Sequence, residues 1–205
     1  MLYIFDINET LLDMSPLDEV IGSTEQRREW FALLIKATLV SASTGEYRDF
    51  SDLGAAAATM CGLGDEVVER LAATMRTLPA HPDVLPGLEH LRSDGHRLVA
   101  LGNSPRRVLQ PQLENAGIAL LMNAMYSVEQ AHALKPNPAA YHHALTAERV
   151  TADEATMVAA HDWDIAGAAA VGMRTAFVTR GGQRPLPLQP APTNTVSKFG
   201  ELVPR

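Results

Sequence analysis

The stretch LYIFDINETLLD, residues 2–13, decides the fold of this chain. It opens with the four apolar residues Leu2 to Phe5, and the acidic residue Asp6 follows at once. A short, unbroken apolar run that ends at a polar residue is typical of a buried strand in a parallel sheet. Ligands of such sheets bind beyond the carboxyl ends of the strands. The residues that follow Phe5 are therefore the first candidates for a functional site.

Beyond about residue 82, short apolar runs alternate with helical patterns. Further strands are predicted at 97–101, 124–128, 156–160 and 175–178, and helices at 86–93, 105–116, 138–148 and 164–171. Strands that alternate with helices in this way form a doubly wound parallel sheet. The sequence therefore predicts an α/β fold with a Rossmann-like core.

Residues 14–82 have a different character, because helical patterns follow one another there with no strand pattern between them. Helices are predicted at about 25–40, 49–61 and 65–78. Trp30 and Leu34 share one face of the first of these helices at helical spacing. We therefore divide the chain into a core of residues 1–13 and 83–205 and an inserted helical unit of residues 14–82.

The composition restricts the classes of partner. The chain has 205 residues and a formal net charge of −7, and it lacks a Lys/Arg cluster, so nucleic acid is not an expected partner. No apolar run approaches the roughly 20 residues of a membrane span. Cys61 is the only cysteine, which excludes an internal disulfide, and the first residues do not resemble a signal peptide. These features predict a cytoplasmic protein that does not bind membranes.

Polar residues collect after the predicted strands. Asp6 to Thr10 follow the first strand, Gly102 to Ser104 the second, and His161 to Asp164 a later one, while Lys135 precedes a helix. A nearby ammonium lowers the pKa of a carboxyl group and keeps it ionised. An ionised and partly desolvated carboxylate can attack an electrophile and form a covalent ester. Asp6 is therefore the candidate nucleophile, with Lys135 as its partner.

Four segments together resemble the motifs of the haloacid dehalogenase superfamily, in that family's order. They are FDINETLLD at 5–13, NSP at 103–105, KP at 135–136 and WDIAGA at 163–168. The helical unit at 14–82 corresponds to the cap that this superfamily inserts after its first motif. The resemblance covers nearly the whole chain and implies a hydrolase with an aspartyl nucleophile.

Within the superfamily, the chain looks most like the (S)-2-haloacid dehalogenases. Asn8 stands where the phosphatases carry an acid/base Asp, and a halide leaves without the proton that an alkoxide needs. Ala160 stands where a second carboxylate for Mg²⁺ would be, although Asp162 could compensate. Tyr141 and Trp163 match the spacing of the dehalogenases. The resemblance implies a short, anionic 2-haloacid substrate and no metal or other cofactor.

The resemblance assigns roles to thirteen residues. The implied catalytic residues are Asp6, Thr10, Lys135, Asp164, Asn103 and Arg28, and the implied substrate-binding residues are Asn8, Arg27, Phe50, Gly102, Tyr141, His161 and Trp163. Of the two cap arginines, Arg28 or Arg27 would stabilise the leaving halide. Asp164 and Lys135 would activate the water that hydrolyses the ester.

Several positions depart from the dehalogenase pattern. Gly102 lacks the hydroxyl that the family has there, and His161 replaces an Asn. His161 could assist in activating water, because histidine titrates near neutral pH. Successive side chains of a strand point to opposite faces, so Glu9 would point away from the site that its neighbour Asn8 faces.

Two other hypotheses remain open. The first is a Mg²⁺-dependent phosphatase that uses Asp6, the backbone carbonyl of Asn8, and Asp164 or Asp162. The second is an inactive fold kept for binding, which Gly102 and Ala160 would explain. The apolar faces of the inserted helices are also compatible with a homodimer.

Overall fold

The computed structural model describes residues 1–187 and 190–202, and one parallel sheet of six strands lies at its centre. The strands are β1 (Leu2–Phe5), β2 (Arg97–Gly102), β3 (Ala124–Ser127), β4 (Ala155–Ala159), β5 (Arg174–Val178) and β6 (Asn194–Val196). Their order in the sheet is β3-β2-β1-β4-β5-β6. The prediction of a doubly wound α/β fold is confirmed.

Eight α-helices accompany the sheet in the part of the chain that is described. They are α1 (Leu17–Ile21), α2 (Thr24–Thr44), α3 (Phe50–Met60), α4 (Asp65–Thr74), α5 (Val84–Ser93), α6 (Arg106–Asn115), α7 (Pro138–Glu148) and α8 (Asp162–Ala170). Within residues 1–187 and 190–202, no helix is both long and apolar enough to cross a membrane. The sequence missed α1 and β6, because runs of five and three residues show too little of a period to be recognised.

Strand β1 lies between β2 and β4, and this position determines what surrounds Asp6. Phe5 pairs with Ala100 of β2 on one side and with Val158 of β4 on the other. The backbone N–H of Asp6 donates to the carbonyl of Val158 at 3.0 Å. Because all strands are parallel, the residues that follow β1, β2 and β4 meet at one edge of the sheet.

The four helices α1 to α4 follow β1 directly and pack against one another, with α2 against α3 and α1 against α4. The Ser23 side chain accepts a hydrogen bond from the backbone of Gln26 and so caps the start of α2. Trp30 is buried between α2 and α3, and its indole N–H donates to the carbonyl of Gly54 at 2.9 Å. Trp30, on the apolar face predicted for the first of these helices, therefore joins α2 to α3.

Candidate active site

Asp6 lies at the centre of a buried polar cluster beyond the end of β1. Its side chain is 8% exposed, and the side chains of Lys135, Thr10 and His161 bind its two oxygens. Oδ1 accepts from Lys135 Nζ at 2.8 Å, and Oδ2 accepts from Thr10 Oγ1 at 2.7 Å. Burial alone would raise the pKa of Asp6, but the Lys135 charge and the His161 hydrogen bond outweigh it. The pKa of Asp6 therefore lies well below its ordinary value, and the carboxylate is ionised.

Lys135 is fully buried, and its ammonium joins the carboxylates of Asp6, after β1, and Asp164, in α8. Nζ donates to Asp6 Oδ1 at 2.8 Å, to Asp164 Oδ2 at 2.7 Å and to the carbonyl of Leu101 at 2.9 Å. These three acceptors use all three N–H groups of the ammonium. Burial alone would lower the pKa of Lys135, but Asp164 and Asp6 raise it above its ordinary value. The predicted pairing of Asp6 with Lys135 is present in the structure.

Asp164, in the first turn of α8, is fully buried and held from two sides. Lys135 binds one of its oxygens, and the Tyr141 hydroxyl donates to the other at 2.7 Å. Burial raises the pKa of Asp164 above its ordinary value even though Lys135 opposes this effect. Gly167 makes the contact sterically feasible, because a Cβ there would lie 2.5 Å from the Tyr141 hydroxyl. Tyr141, which has no exposed surface, therefore holds the Asp164 carboxylate in position.

Thr10 has a fixed hydroxyl direction. Its Oγ1 accepts from the backbone N–H of Ala160 at 2.9 Å, so the hydroxyl proton is free to point to Asp6 Oδ2. Residue 160 therefore contributes through its backbone, and a side-chain hydroxyl is not needed for this bond.

His161 lies between two carboxylates. Nδ1 is 3.0 Å from Asp6 Oδ2, and Nε2 is 3.0 Å from Glu9 Oε2. Burial alone would lower the pKa of His161, but the hydrogen bonds to Asp6 and Glu9 raise it to about 9. Since both ring nitrogens face acceptors, the imidazolium form satisfies both contacts. Resting His161 is therefore a hydrogen-bond donor at both ring nitrogens, and its part in activating water stays a prediction.

Glu9 turns toward the site, contrary to the expectation from strand-like alternation. Its φ is 60°, so the backbone is in the left-handed region and the extended pattern ends there. The carboxylate meets His161, Arg27 Nη1 at 3.3 Å and Gln183 Nε2 at 3.0 Å. Although burial raises its pKa, the His161 hydrogen bond lowers the pKa of Glu9 below its ordinary value.

The two arginines of α2 differ in their surroundings. Arg27 bonds Glu9 and also Asp18, so it contacts the cluster through Glu9 and does not touch Asp6. Arg28 is exposed, and it lines a cavity of about 440 Å³ together with Glu9, Arg27 and Arg180. The assignment of halide binding to either arginine stays a prediction.

Asn103, Asn8 and Trp163, which the sequence also predicted as site residues, make different contacts. Asn103 is buried, and its Oδ1 accepts from the backbone N–H of Lys135 at 2.9 Å, which holds the lysine loop. Asn8 is also buried, but its Oδ1 accepts from Gln112 at 3.2 Å. Trp163 stacks on the His161 ring with centroids 5.1 Å apart, and its ring lies 5.9 Å from Lys135 Nζ.

Phe50 and Gly102 lie among packed, mainly apolar side chains. Phe50 is buried and lines a smaller, mainly apolar cavity with Trp30. At Gly102, a Cβ would lie 3.1 Å from Ile7 and 3.2 Å from Leu109, so a side chain there would force these neighbours to move. Tight packing around residue 102 therefore leaves little space for a side chain that could carry a hydroxyl there.

Three residues beside Glu9 were not singled out in the sequence. Gln183 binds its carboxylate, His81 Nε2 lies 3.1 Å from its carbonyl, and Arg180 donates to the carbonyl of Thr10. They come from segments far apart in the chain and belong to no motif. Only the position of Gln183 and Arg180 shortly after the end of β5 could have drawn attention to them.

The arrangement does not suit a divalent cation. Among residues 1–187 and 190–202, no three His, Cys, Asp or Glu side chains are grouped so that they could hold a metal. Lys135 already stands between Asp6 and Asp164, the two carboxylates that would form such a site. Asp162, the first residue of α8, accepts from the neighbouring backbone N–H of Trp163.

Several known proteins are similar to this chain in sequence and in fold. An (S)-2-haloacid dehalogenase 4A of Burkholderia cepacia is 28% identical over 194 residues, which cover 89% of this chain and 84% of that protein. The crystal structure of an L-2-haloacid dehalogenase superposes with a TM-score of 0.89 at 26% identity, covering 96% of this chain and 94% of that one. The L-2-haloacid dehalogenase of Xanthobacter autotrophicus has the same fold, with a TM-score of 0.89 at 21% identity and coverage of 98% and 96%.

The phosphatase branch is also represented. A phosphoglycolate phosphatase of Cupriavidus necator is 30% identical over 100 residues, which is 49% of this chain and 43% of that protein. A family model described as haloacid dehalogenase-like hydrolase matches residues 1–172. With this match and the cluster around Asp6, the chain belongs to the haloacid dehalogenase-like hydrolases.

Proposed function

We propose that this chain is a 2-haloacid dehalogenase, which hydrolyses the carbon–halogen bond of a short 2-haloacid through an ester of Asp6 and without a metal. The observation that carries the proposal is the ionised, buried Asp6 carboxylate beside a buried lysine. A carboxylate in these surroundings has lost most of its hydration and is kept from protonation, as a nucleophile requires. The similarity to (S)-2-haloacid dehalogenases over most of the chain supports the same reaction.

The two steps balance as follows. An Asp6 oxygen forms a bond to C2 of the substrate while the halide leaves with the electron pair of the broken bond. Water then adds to Cγ of Asp6, and the Cγ–O bond to the substrate breaks. One proton of the water goes to the departing hydroxyl group and the other to solvent. The Asp6 carboxylate is restored with one oxygen from water.

Asn8 is the residue that favours halide over phosphate ester. An amide cannot supply the proton that an alkoxide leaving group needs, and the neighbouring Glu9 is held ionised. Lys135 binds both Asp6 and Asp164, and we propose that Lys135 and Asp164 position the water. The four inserted helices, residues 14–82, would act as a cap, since Arg27 connects α2 to the Glu9 loop.

One observation favours a phosphatase as second candidate. The His161 imidazolium touches Asp6 and could protonate a leaving alkoxide in place of the missing acid. Lys135 stands between Asp6 and Asp164, the two carboxylates that would hold Mg²⁺, and this argues against the Mg²⁺-dependent form. An inactive binding protein would have no need of a buried, charged Asp6–Lys135 pair. The cytoplasmic location, a homodimer and the exclusion of nucleic acid stay predictions.

The experiment offers both substrates to the same preparation. Each enantiomer of 2-chloropropionate is supplied with EDTA, and p-nitrophenyl phosphate is supplied with Mg²⁺. We expect halide release that EDTA leaves unchanged and that Asp6→Asn abolishes. A single turnover in H₂¹⁸O should then place the label in the peptide that contains Asp6. Phosphate release without halide release would reject the dehalogenase, and an Asp6→Asn variant with unchanged activity would reject both reactions.

A further inference from the structure

The two oxygens of Asp6 have different surroundings. Oδ1 is bound by Lys135 alone among the described residues, whereas Oδ2 is bound by Thr10 at 2.7 Å and His161 at 3.0 Å. Both contacts of Oδ2 are donors, because the Thr10 oxygen already accepts from Ala160 and the imidazole nitrogen faces only acceptors. Two preorganised donors on one oxygen are the geometry of an oxyanion hole.

Glu9 fixes the imidazole that supplies one of these donors. Its Oε2 is 3.0 Å from His161 Nε2, and its carboxylate is itself held by Arg27 and Gln183. Trp163 stacks against the ring at a centroid distance of 5.1 Å. The ring therefore has little freedom to turn Nδ1 away from Asp6.

We propose that Glu9, His161 and Thr10 form an oxyanion hole for hydrolysis of the Asp6 ester, so that Oδ1 is the nucleophile and Oδ2 carries the negative charge. This inference rests on the proposed function and assigns to His161 the part of a catalytic hydrogen-bond donor. Glu9 is a positioning residue, because it acts only through His161.

The step that this hole serves follows from the charge on Oδ2. In the resting enzyme, Oδ2 shares one negative charge with Oδ1, and in the ester it is a neutral carbonyl oxygen. When water adds to Cγ, a full negative charge forms on Oδ2. After the Cγ–Oδ1 bond breaks and the carboxylate is restored, Oδ2 shares one negative charge with the oxygen that came from water. Donors aimed at Oδ2 therefore stabilise the transition state of the second step relative to the ester. They do not assist departure of the halide.

The consequence is a change of the slow step. Loss of the His161 donor should slow ester hydrolysis by roughly 10²-fold, the effect of removing one oxyanion-hole donor. Ester formation should slow much less, because Lys135 still holds Oδ1. The variant should release about one halide per active site in a rapid burst and then turn over slowly.

The test compares His161→Leu and Glu9→Gln with wild type on 2-chloropropionate by rapid quench. His142→Leu is the matched control, since His142 is exposed on α7. We expect a full burst and an ester detectable by mass spectrometry in His161→Leu. Glu9→Gln should show a smaller, about tenfold, slowing of hydrolysis, because Gln still accepts from Nε2 without the charge. The control should match wild type.

Three results decide the inference. A full burst followed by slow turnover supports it and also shows that the variant is folded around a working nucleophile. A burst that slows as much as turnover, with no ester accumulated, overturns it while wild-type halide release leaves the proposed function intact. Absence of halide release from the wild type refutes the proposed function, and the inference falls with it.

Discussion

Replacing Lys135 with methionine removes the charge that the two buried carboxylates share. The ammonium lies 2.8 Å from Asp6 and 2.7 Å from Asp164, and it has no exposed surface. At an effective dielectric constant of about 20, each pair attracts by roughly 6 kcal/mol, most of which offsets desolvation. Breaking a buried pair costs about 3–5 kcal/mol, because the remaining charge is left without compensation. We expect the free energy of unfolding of Lys135→Met to fall by that amount at neutral pH.

The loss should depend on pH in a defined direction. Without the lysine, the pKa of Asp164, which burial already raises above its ordinary value, should rise further, and the pKa of Asp6 should rise from its lowered value. A group with a raised pKa costs nothing in stability at low pH, where it is protonated in both states, and costs more as pH rises. The wild-type Asp6, whose pKa is lowered, has the opposite dependence. The difference between the two proteins should therefore be largest near neutrality and decrease toward pH 4, and it should decrease further below the ordinary pKa of 3.8, where wild-type Asp6 begins to lose its own stabilising effect.

The assay is urea unfolding of both proteins across this pH range, together with halide release from 2-chloropropionate. Halide release should fall by roughly 10²-fold or more, because the nucleophile is no longer held ionised. Lys36→Met is the matched control, since Lys36 is exposed on α2, and it should change stability by less than about 0.5 kcal/mol. If Lys135→Met were as stable and active as wild type at neutral pH, the account of the buried ion cluster would be wrong.

Three further expectations concern the surroundings of this cluster. Tyr141→Phe removes the donor to Asp164 Oδ1, and it should lower the free energy of unfolding by about 1–3 kcal/mol in urea titrations; an unchanged value would show that the hydroxyl does not hold the carboxylate. Gly167→Ala places a Cβ 2.5 Å from the Tyr141 hydroxyl, so it should cost about 1–3 kcal/mol and reduce halide release, whereas Gly200→Ala, where no atom lies near the added Cβ, should do neither. The pKa of His161 is raised to about 9, so its stabilising effect should be complete below the ordinary value of 6.5 and should fade as pH rises through 9. NMR titration of the His161 ring should show this directly, and a midpoint below 6.5 would contradict the double carboxylate contact.

Much of this architecture could be predicted because its signals are local. The apolar run before Asp6 and the alternation after residue 82 predicted five of the six strands and the sheet type. Parallel strands place their carboxyl ends at one edge, so the meeting of Asp6, Lys135 and Asp164 followed from topology. The motif order then gave the family.

The parts that were missed depend on backbone turns and distant contacts. The direction of Glu9 follows from one left-handed residue, and neighbouring side-chain types did not reveal it. The protonation state of His161 depends on which acceptors face its two ring nitrogens, and one of those acceptors is Glu9. The pairing of Asn8 with Gln112 joins residues 104 positions apart and has no sequence period. Such contacts become visible only once the elements are placed together.

The positive φ of Glu9 separates the demands of folding from those of chemistry. An L-residue in this conformation costs about 1 kcal/mol more than glycine, which adopts it freely. Glycine there would relieve this cost, but it would remove the carboxylate that accepts from His161 and Arg27, and a buried group left without its partner costs about 1–3 kcal/mol. Variants selected only for resistance to heating should therefore keep an acidic residue at position 9, so selection for robustness would also preserve the site.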